Sequence, residues 1–185
     1  MKKTVICILF SMVFSLDQLP PQSFLKSLDG KKISINELNN TPMLINFWFL
    51  ACEPCKKEME YLDLFNSKYK KYGFKVVSVN TDNARTLSRV KPFVNSKKYS
   101  FDVLSDPRSM FFRKVGGKIC PTLLLVDIEG NIINKHVGYN PGDEIRLEKE
   151  IVGMLFNEIK SDTSLTDTSI IKILNESIIN ESIKE

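Results

Sequence analysis

Cys52 and Cys55 bracket Glu53 and Pro54 inside the stretch MLINFWFLACEPCKKEMEYL, residues 43 to 62. Two thiols at this spacing can form a structural bridge, half of a metal clip, or a reactive pair. A zinc site asks for two further ligands, commonly a second Cys or His pair. The chain offers one histidine, His136, and one cysteine outside the leader and this pair, Cys120. A scaffold of structural bridges uses an even number of cysteines. Of the four here, Cys7 lies in an apolar leader, which leaves three. The count therefore favours thiols that react.

The setting favours it too. The pair follows an almost continuously apolar run and precedes apolar residues at helical spacing. Cys52 then falls where a buried strand hands over to a helix, and its sulfur meets the unpaired N–H groups of the first turn. Those groups and the helix dipole favour an anion. A gain of about 1–2 kcal/mol lowers a thiol pKa by roughly one unit from ~8.5, and the thiolate is the attacking species. Pro54 suits the first turn, where its missing donor costs nothing. Cys55, one turn on, is expected to be shielded yet able to reach a disulfide made at Cys52. Glu58 stands three residues beyond Cys55 on the same side of the helix. A partly buried carboxylate there moves a proton if its pKa is raised; a solvent-facing one pairs with a neighbouring lysine instead.

The elements that must hold these residues alternate along the chain. The segment SLDGKKIS reads as a small hairpin turning at Asp29-Gly30. MLINFWF is a strand covered on both faces, and Met59, Leu62, Phe65 and Tyr69 give a helix over about 52–72. FKVVSVN is a second buried strand. A helix over about 85–98 is kinked or restarted at Pro92. FDVLS is a short edge-like strand, and Asp106-Pro107 a helix start with an N-cap acid. TLLLVDIEGNIINKHVG is a hairpin turning at residues 129–131, and Leu147, Ile151 and Leu155 mark a last helix. Helical crossovers followed by a late hairpin imply an α/β fold with a mixed sheet.

The ends differ from this body. Met1-Lys2-Lys3 and then TVICILFSMVFS have the form of a signal peptide over 1–15, with Val13 and Ser15 small enough for cleavage. The apolar run is shorter than the ~20 residues of a spanning helix; left uncleaved it would be a weak anchor. Residues 16–37 form the hairpin region, 38–160 the main domain, and 161–185 a polar linker with an amphipathic or disordered tail. The 185 residues suffice for one core, and the net charge of +4 with scattered lysines gives no nucleic-acid stripe.

FWFLACEPCKKE resembles the FW-x-x-x-C-x-x-C site of the thioredoxin superfamily, and within it the exported TlpA/ResA-like branch. A second signature, Ile119-Cys120-Pro121-Thr122 opening the strand LLLVD, lies at the matching distance. The resemblance covers about residues 38–159. It implies the thioredoxin fold: a central mixed sheet flanked by helices, ending in a hairpin and a helix. It implies that Cys52 is the nucleophile, Cys55 the resolving thiol, Glu58 the near-site carboxylate, and Pro121 a cis-proline facing the pair. Trp48, Glu53, Pro54, Cys120 and Thr122 would flank the substrate, Trp48 with packing as its other reading. No bound cofactor and no metal are implied beyond the redox-active Cys52–Cys55 disulfide. The partners would be protein dithiols or disulfides and a separate thiol donor, free or membrane-bound. The protein would act as a monomer in the periplasm or cell envelope.

Three positions depart from common patterns. Ala51 replaces a tryptophan found in many relatives, Asn46 stands where cytoplasmic thioredoxins bury an acid, and Cys120 directly precedes the proline. Cys120 is either a small apolar filler or a third thiol within reach of Cys52. Glu53 would oppose a thiolate, which leans towards a reductant. Supplying reduced cysteines for haem attachment to c-type cytochromes is one role in that group, and nothing in the sequence singles it out. The rivals are a thiol peroxidase of the same fold, which would want Pro and Thr or Ser just before the cysteine where FWFLA stands, and a thiol-based copper chaperone.

Overall fold

The computed structural model describes residues 17–161; the leader and the tail lie outside them. In chain order the elements are β1 (Phe24–Ser27), β2 (Lys32–Ser34), β3 (Met43–Trp48), α1 (Glu53–Tyr69), β4 (Lys75–Asn80), α2 (Val90–Lys97), β5 (Asp102–Ser105), α3 (Met110–Lys114), β6 (Thr122–Val126), β7 (Ile132–Val137) and α4 (Asp143–Ser161). The strands form a single sheet in the order β2-β1-β5-β4-β3-β6-β7. β3 runs parallel to β4 and β4 to β5, while the pairings of β6 with β3 and β7, and of β1 with β2 and β5, are antiparallel. The expected mixed sheet, closing in a hairpin and a helix, is therefore present.

All six residues of β3 are buried, which is why that stretch, Asn46 apart, reads as apolar. Their side chains divide between two cores. Leu44 and Trp48 join Cys55, Met59 and Leu62 of α1 and Leu147 and Ile151 of α4. Met43, Ile45 and Phe47 face the opposite way, onto Phe111 and Phe112 of α3. The centre of the sheet is thus clamped between helices, and the loop at the carboxyl end of β3 projects from a rigid base. Within that clamp Asn66 of α1 accepts a hydrogen bond from the Val76 N–H at 2.8 Å and donates to the Ser100 carbonyl at 3.0 Å, fixing the helix against β4.

Four sequence expectations need correction in detail. FDVLS is not at an edge: β1 pairs with β5 and covers it, so the hairpin supplies the outer strands. The helix after Asp106 starts at Met110, because residues 106–109 make a turn first; Asp106 still caps it, accepting from the Met110 and Phe112 N–H groups at 2.9 Å. Near Pro92 the chain restarts: a 3-10 turn at Leu87–Arg89 precedes α2, leaving the proline in a first turn, where it breaks no bond. α1 ends at Tyr69 and tightens into a 3-10 turn over Lys70–Tyr72. Among the described residues no helix is long and apolar enough to cross a membrane.

Candidate active site

The loop between β3 and α1 is held by hydrogen bonds from the end of β4. Thr81 donates to the Trp48 carbonyl through its N–H at 2.8 Å and its hydroxyl at 3.1 Å. Asp82, also buried, accepts from the Leu50 N–H at 2.7 Å, from Asn80 Nδ2 at 2.8 Å and from the Thr86 hydroxyl at 2.6 Å. The loop then turns, with the Cys52 N–H donating to the Phe49 carbonyl at 3.0 Å. Cys52 is the N-cap of α1, and the Cys55 N–H donates to its sulfur at 3.3 Å. Serine or aspartate usually fills such a cap with oxygen; here a sulfur occupies the anion-favouring end of the helix.

Cys52 and Cys55 form a disulfide with Cα atoms 5.3 Å apart. Cys55 is wholly buried, whereas Cys52 keeps a sliver of exposure at 5%. Glu53 and Pro54 are exposed on the first turn of the helix. Glu53 is engaged by Lys56 at 2.7 Å, and that contact lowers its pKa. The lysine also tempers the repulsion that Glu53 would exert on a thiolate.

Glu58 is not a solvent-facing glutamate. It is 3% exposed, its Oε2 finds no hydrogen-bond partner, and burial, helped by the charge of Asp143, raises its pKa to about 8. Asn46 lies on the helix-facing side of β3 and is equally buried, with neither amide atom partnered; its register neighbour Ser78 also has an unpartnered hydroxyl. Glu58 is thus a buried titratable group of α1, three residues beyond Cys55.

The Cys120–Pro121 peptide bond is cis, as the resemblance implies. Cys120 is half-buried, and its Sγ lies 3.9 Å from the Thr81 hydroxyl oxygen. Burial raises the Cys120 pKa, with the Glu58 charge adding to it against the Thr81 contact; both effects suit the filler reading. Among the described residues no group takes the Cys120 backbone N–H or C=O.

Two expected substrate neighbours take other places. Trp48 is fully buried and packs on Phe93, ring centroids 5.6 Å apart, so it offers no surface to a substrate. Thr122 is also buried, its hydroxyl spent on the Ile119 carbonyl at 2.6 Å; its side chain shapes the turn into β6. Sequence reasoning missed Thr81 and Asp82, whose partners lie 33 and 32 residues away, and the exposed Phe49 and Ile119 beside the pair and the proline. Exposed apolar residues flanking the two motifs were the available signal for the last two. Among the described residues no three His, Cys, Asp or Glu side chains converge as metal ligands would.

The comparisons agree with this geometry. The Redoxin family model matches residues 15–151. The chain is 30% identical to the thiol-disulfide oxidoreductase ResA of Bacillus anthracis over 125 residues, 68% of this chain and 71% of that protein. It is 29% identical to ResA of Bacillus subtilis (strain 168) over 118 residues, 64% and 65% of the two chains. A Chlorobium tepidum crystal structure assigned as a thiol:disulfide interchange protein, DsbE, superposes with a TM-score of 0.68 at 29% identity, covering 76% of this chain and 99% of that one. With the paired cysteines at a helix start and a cis-proline before β6, these matches mean that the chain belongs to the Redoxin family, as a ResA-like redox enzyme of the thioredoxin superfamily.

Proposed function

We propose that this protein reduces disulfides of exported proteins by thiol–disulfide exchange through Cys52 and Cys55. In the reduced enzyme the Cys52 thiolate attacks one sulfur of a substrate disulfide. A Cys52–substrate disulfide forms and the other substrate sulfur leaves as a thiolate. Glu58, as carboxylate, takes the proton of the Cys55 thiol, and the resulting Cys55 thiolate attacks the Cys52 sulfur. The second substrate sulfur leaves, and two electrons have passed from the enzyme to the substrate. A separate thiol donor then reduces the Cys52–Cys55 disulfide. No bound cofactor enters the cycle.

The observation that carries this reading is the Cys55 N–H aimed at the Cys52 sulfur at the helix start. A donor held there favours the anion over the thiol. The Glu58 carboxyl, with a pKa of about 8, is suited to gain and lose a proton near neutral pH. The unpaired Cys120 backbone before Pro121 supports substrate docking as an added strand, flanked by Phe49, Ile119, Glu53 and Pro54. Export to the periplasm or cell envelope, action as a monomer and a membrane-bound donor complete the proposal, in keeping with the leader and the ResA-like kinship.

Insulin reduction with dithiothreitol tests the reading. The wild type is expected to accelerate precipitation of the insulin B chain and Cys52→Ser to be inert. Activity retained by Cys52→Ser, or efficient peroxide consumption without disulfide reduction, would replace the proposal with a different thiol chemistry.

A further inference from the structure

Behind Glu58 lies a largely enclosed cavity of about 60 Å³, set between α1, the end of β7 and the first turn of α4. A water needs roughly 10–15 Å³ of such space and two to four polar partners, so the cavity has room for several. Its walls carry polar groups from several of the elements around it: Glu58 and Tyr61 from α1, His136 from β7, Tyr139 from the following loop, Asp143 and Arg146 from α4, with Leu123 of β6 apolar. Glu58 Oε2 is buried there without a protein partner, and buried polar atoms in folded proteins are satisfied by protein or by water. Tyr139 donates to Glu144 at 3.0 Å, and its hydroxyl also interacts with that of Tyr61, so the two phenols form a polar pair at one end of the cavity. Tyr61 and Tyr139 lie side by side, ring centroids 6.4 Å apart, and Tyr61 is among the lining residues that reach solvent.

We propose that this cavity is a water-filled proton passage, which connects Glu58 to bulk solvent through a mouth at Tyr61, Tyr139 and Asp143. The inference rests on the reading of Glu58 as the acceptor of the Cys55 proton. A docked protein substrate covers Cys52 and Cys120 and closes the front of the site to solvent. The mouth of the passage stands apart from them: Tyr61 is six residues beyond Cys55, about 9 Å along the helix. The proton that Glu58 receives from Cys55 passes to a cavity water, and a proton leaves the outermost water for solvent near the Asp143 carboxylate. Glu58 is then a carboxylate again while the substrate is still bound. With a small disulfide the front stays open and water reaches Glu58 from either side.

The test compares two disulfides in single-turnover experiments on the full chain. Pre-reduced protein is mixed with insulin or with oxidised glutathione, and the decay of the Cys52 mixed disulfide is followed by acid quench and mass spectrometry. Tyr139→Phe and Asp143→Asn are expected to slow this decay about threefold or more with insulin and less than about half as much with glutathione, as befits loss of a proton-transfer group. Asp143→Asn also removes a charge felt by Glu58, an effect common to both disulfides, so the ratio between them is the readout. Equal slowing with both, or slowing with neither, overturns the passage. Glu58→Gln separates the two ideas: if it slows both disulfides while the passage variants slow neither, only the passage falls. If it slows neither, the acceptor reading falls and takes the passage with it.

Discussion

Cys52 and Cys55 share a disulfide but not an environment, and the difference assigns their roles. Cys52 caps the helix with a little exposure, whereas Cys55 is sealed. Cys55→Ser is expected to accept substrate and then stall, trapping a mixed disulfide at Cys52 that mass spectrometry detects; Cys52→Ser should trap none. Glu58 gives a pH prediction with a definite sign. The fold holds its proton up to about pH 8, whereas an ordinary carboxyl releases it near 4.5. Between those values the native state binds the extra proton, so this residue's contribution makes stability fall as pH rises through the window. Ionising so buried a group costs on the order of a few kcal/mol. Urea midpoints measured from pH 5 to 9 on oxidised protein should show Glu58→Gln gaining on the wild type across that range; parallel curves would contradict it. The residue types and spacing of this group were readable in the sequence. The burial of Glu58 was not, since three-residue spacing places it beside Cys55 without saying what α4 lays over it.

The elements that present the site are tied together by two buried polar side chains with separable effects. Asp82 is the shared acceptor for Leu50, Asn80 and Thr86. Asp82→Ala leaves these donors unmet at about 1–3 kcal/mol for each that stays dry, and frees the loop that carries Cys52. It should lower stability by about 2–4 kcal/mol and slow Cys52 alkylation in the folded protein. Asn66→Ala orphans the Val76 N–H and the Ser100 carbonyl for a similar loss, and should leave Cys52 alkylation unchanged. Equal effects of the two on alkylation would mean that Asp82 does no more than stabilise. Strands and helices announced themselves through apolar period, but neither tie did. A polar residue past a strand end reads as loop until its partner, 32 residues away, is known. The edge-like reading of β5 failed for a related reason: four residues carry too little pattern to show that a hairpin from the N-terminal region pairs with them.

Taken whole, the molecule is a clamped sheet whose rigid centre delivers one sulfur to the surface. Fold class was readable because β3 and β6 are almost continuously apolar, β4 carries three valines, and helices separate the three, which limits the topologies that cover both faces. One backbone donor at the Cys52 sulfur, opposed by the charge of nearby Glu53 that Lys56 only tempers, stabilises a thiolate modestly. Equilibration with glutathione is accordingly expected to give a potential nearer the roughly −270 mV of a thioredoxin than the roughly −120 mV of a strong oxidant such as DsbA; a value near the latter would reverse the direction of electron flow. The most direct measurement concerns the sulfur itself. Reduced protein is treated with iodoacetamide across pH 4 to 10, and the rate at each cysteine is mapped by mass spectrometry. The account predicts that Cys52 reacts first, with a midpoint about one unit below the ~8.5 of a free thiol. A Cys52 that reacts no faster than the unfolded chain, with an ordinary midpoint, would contradict it.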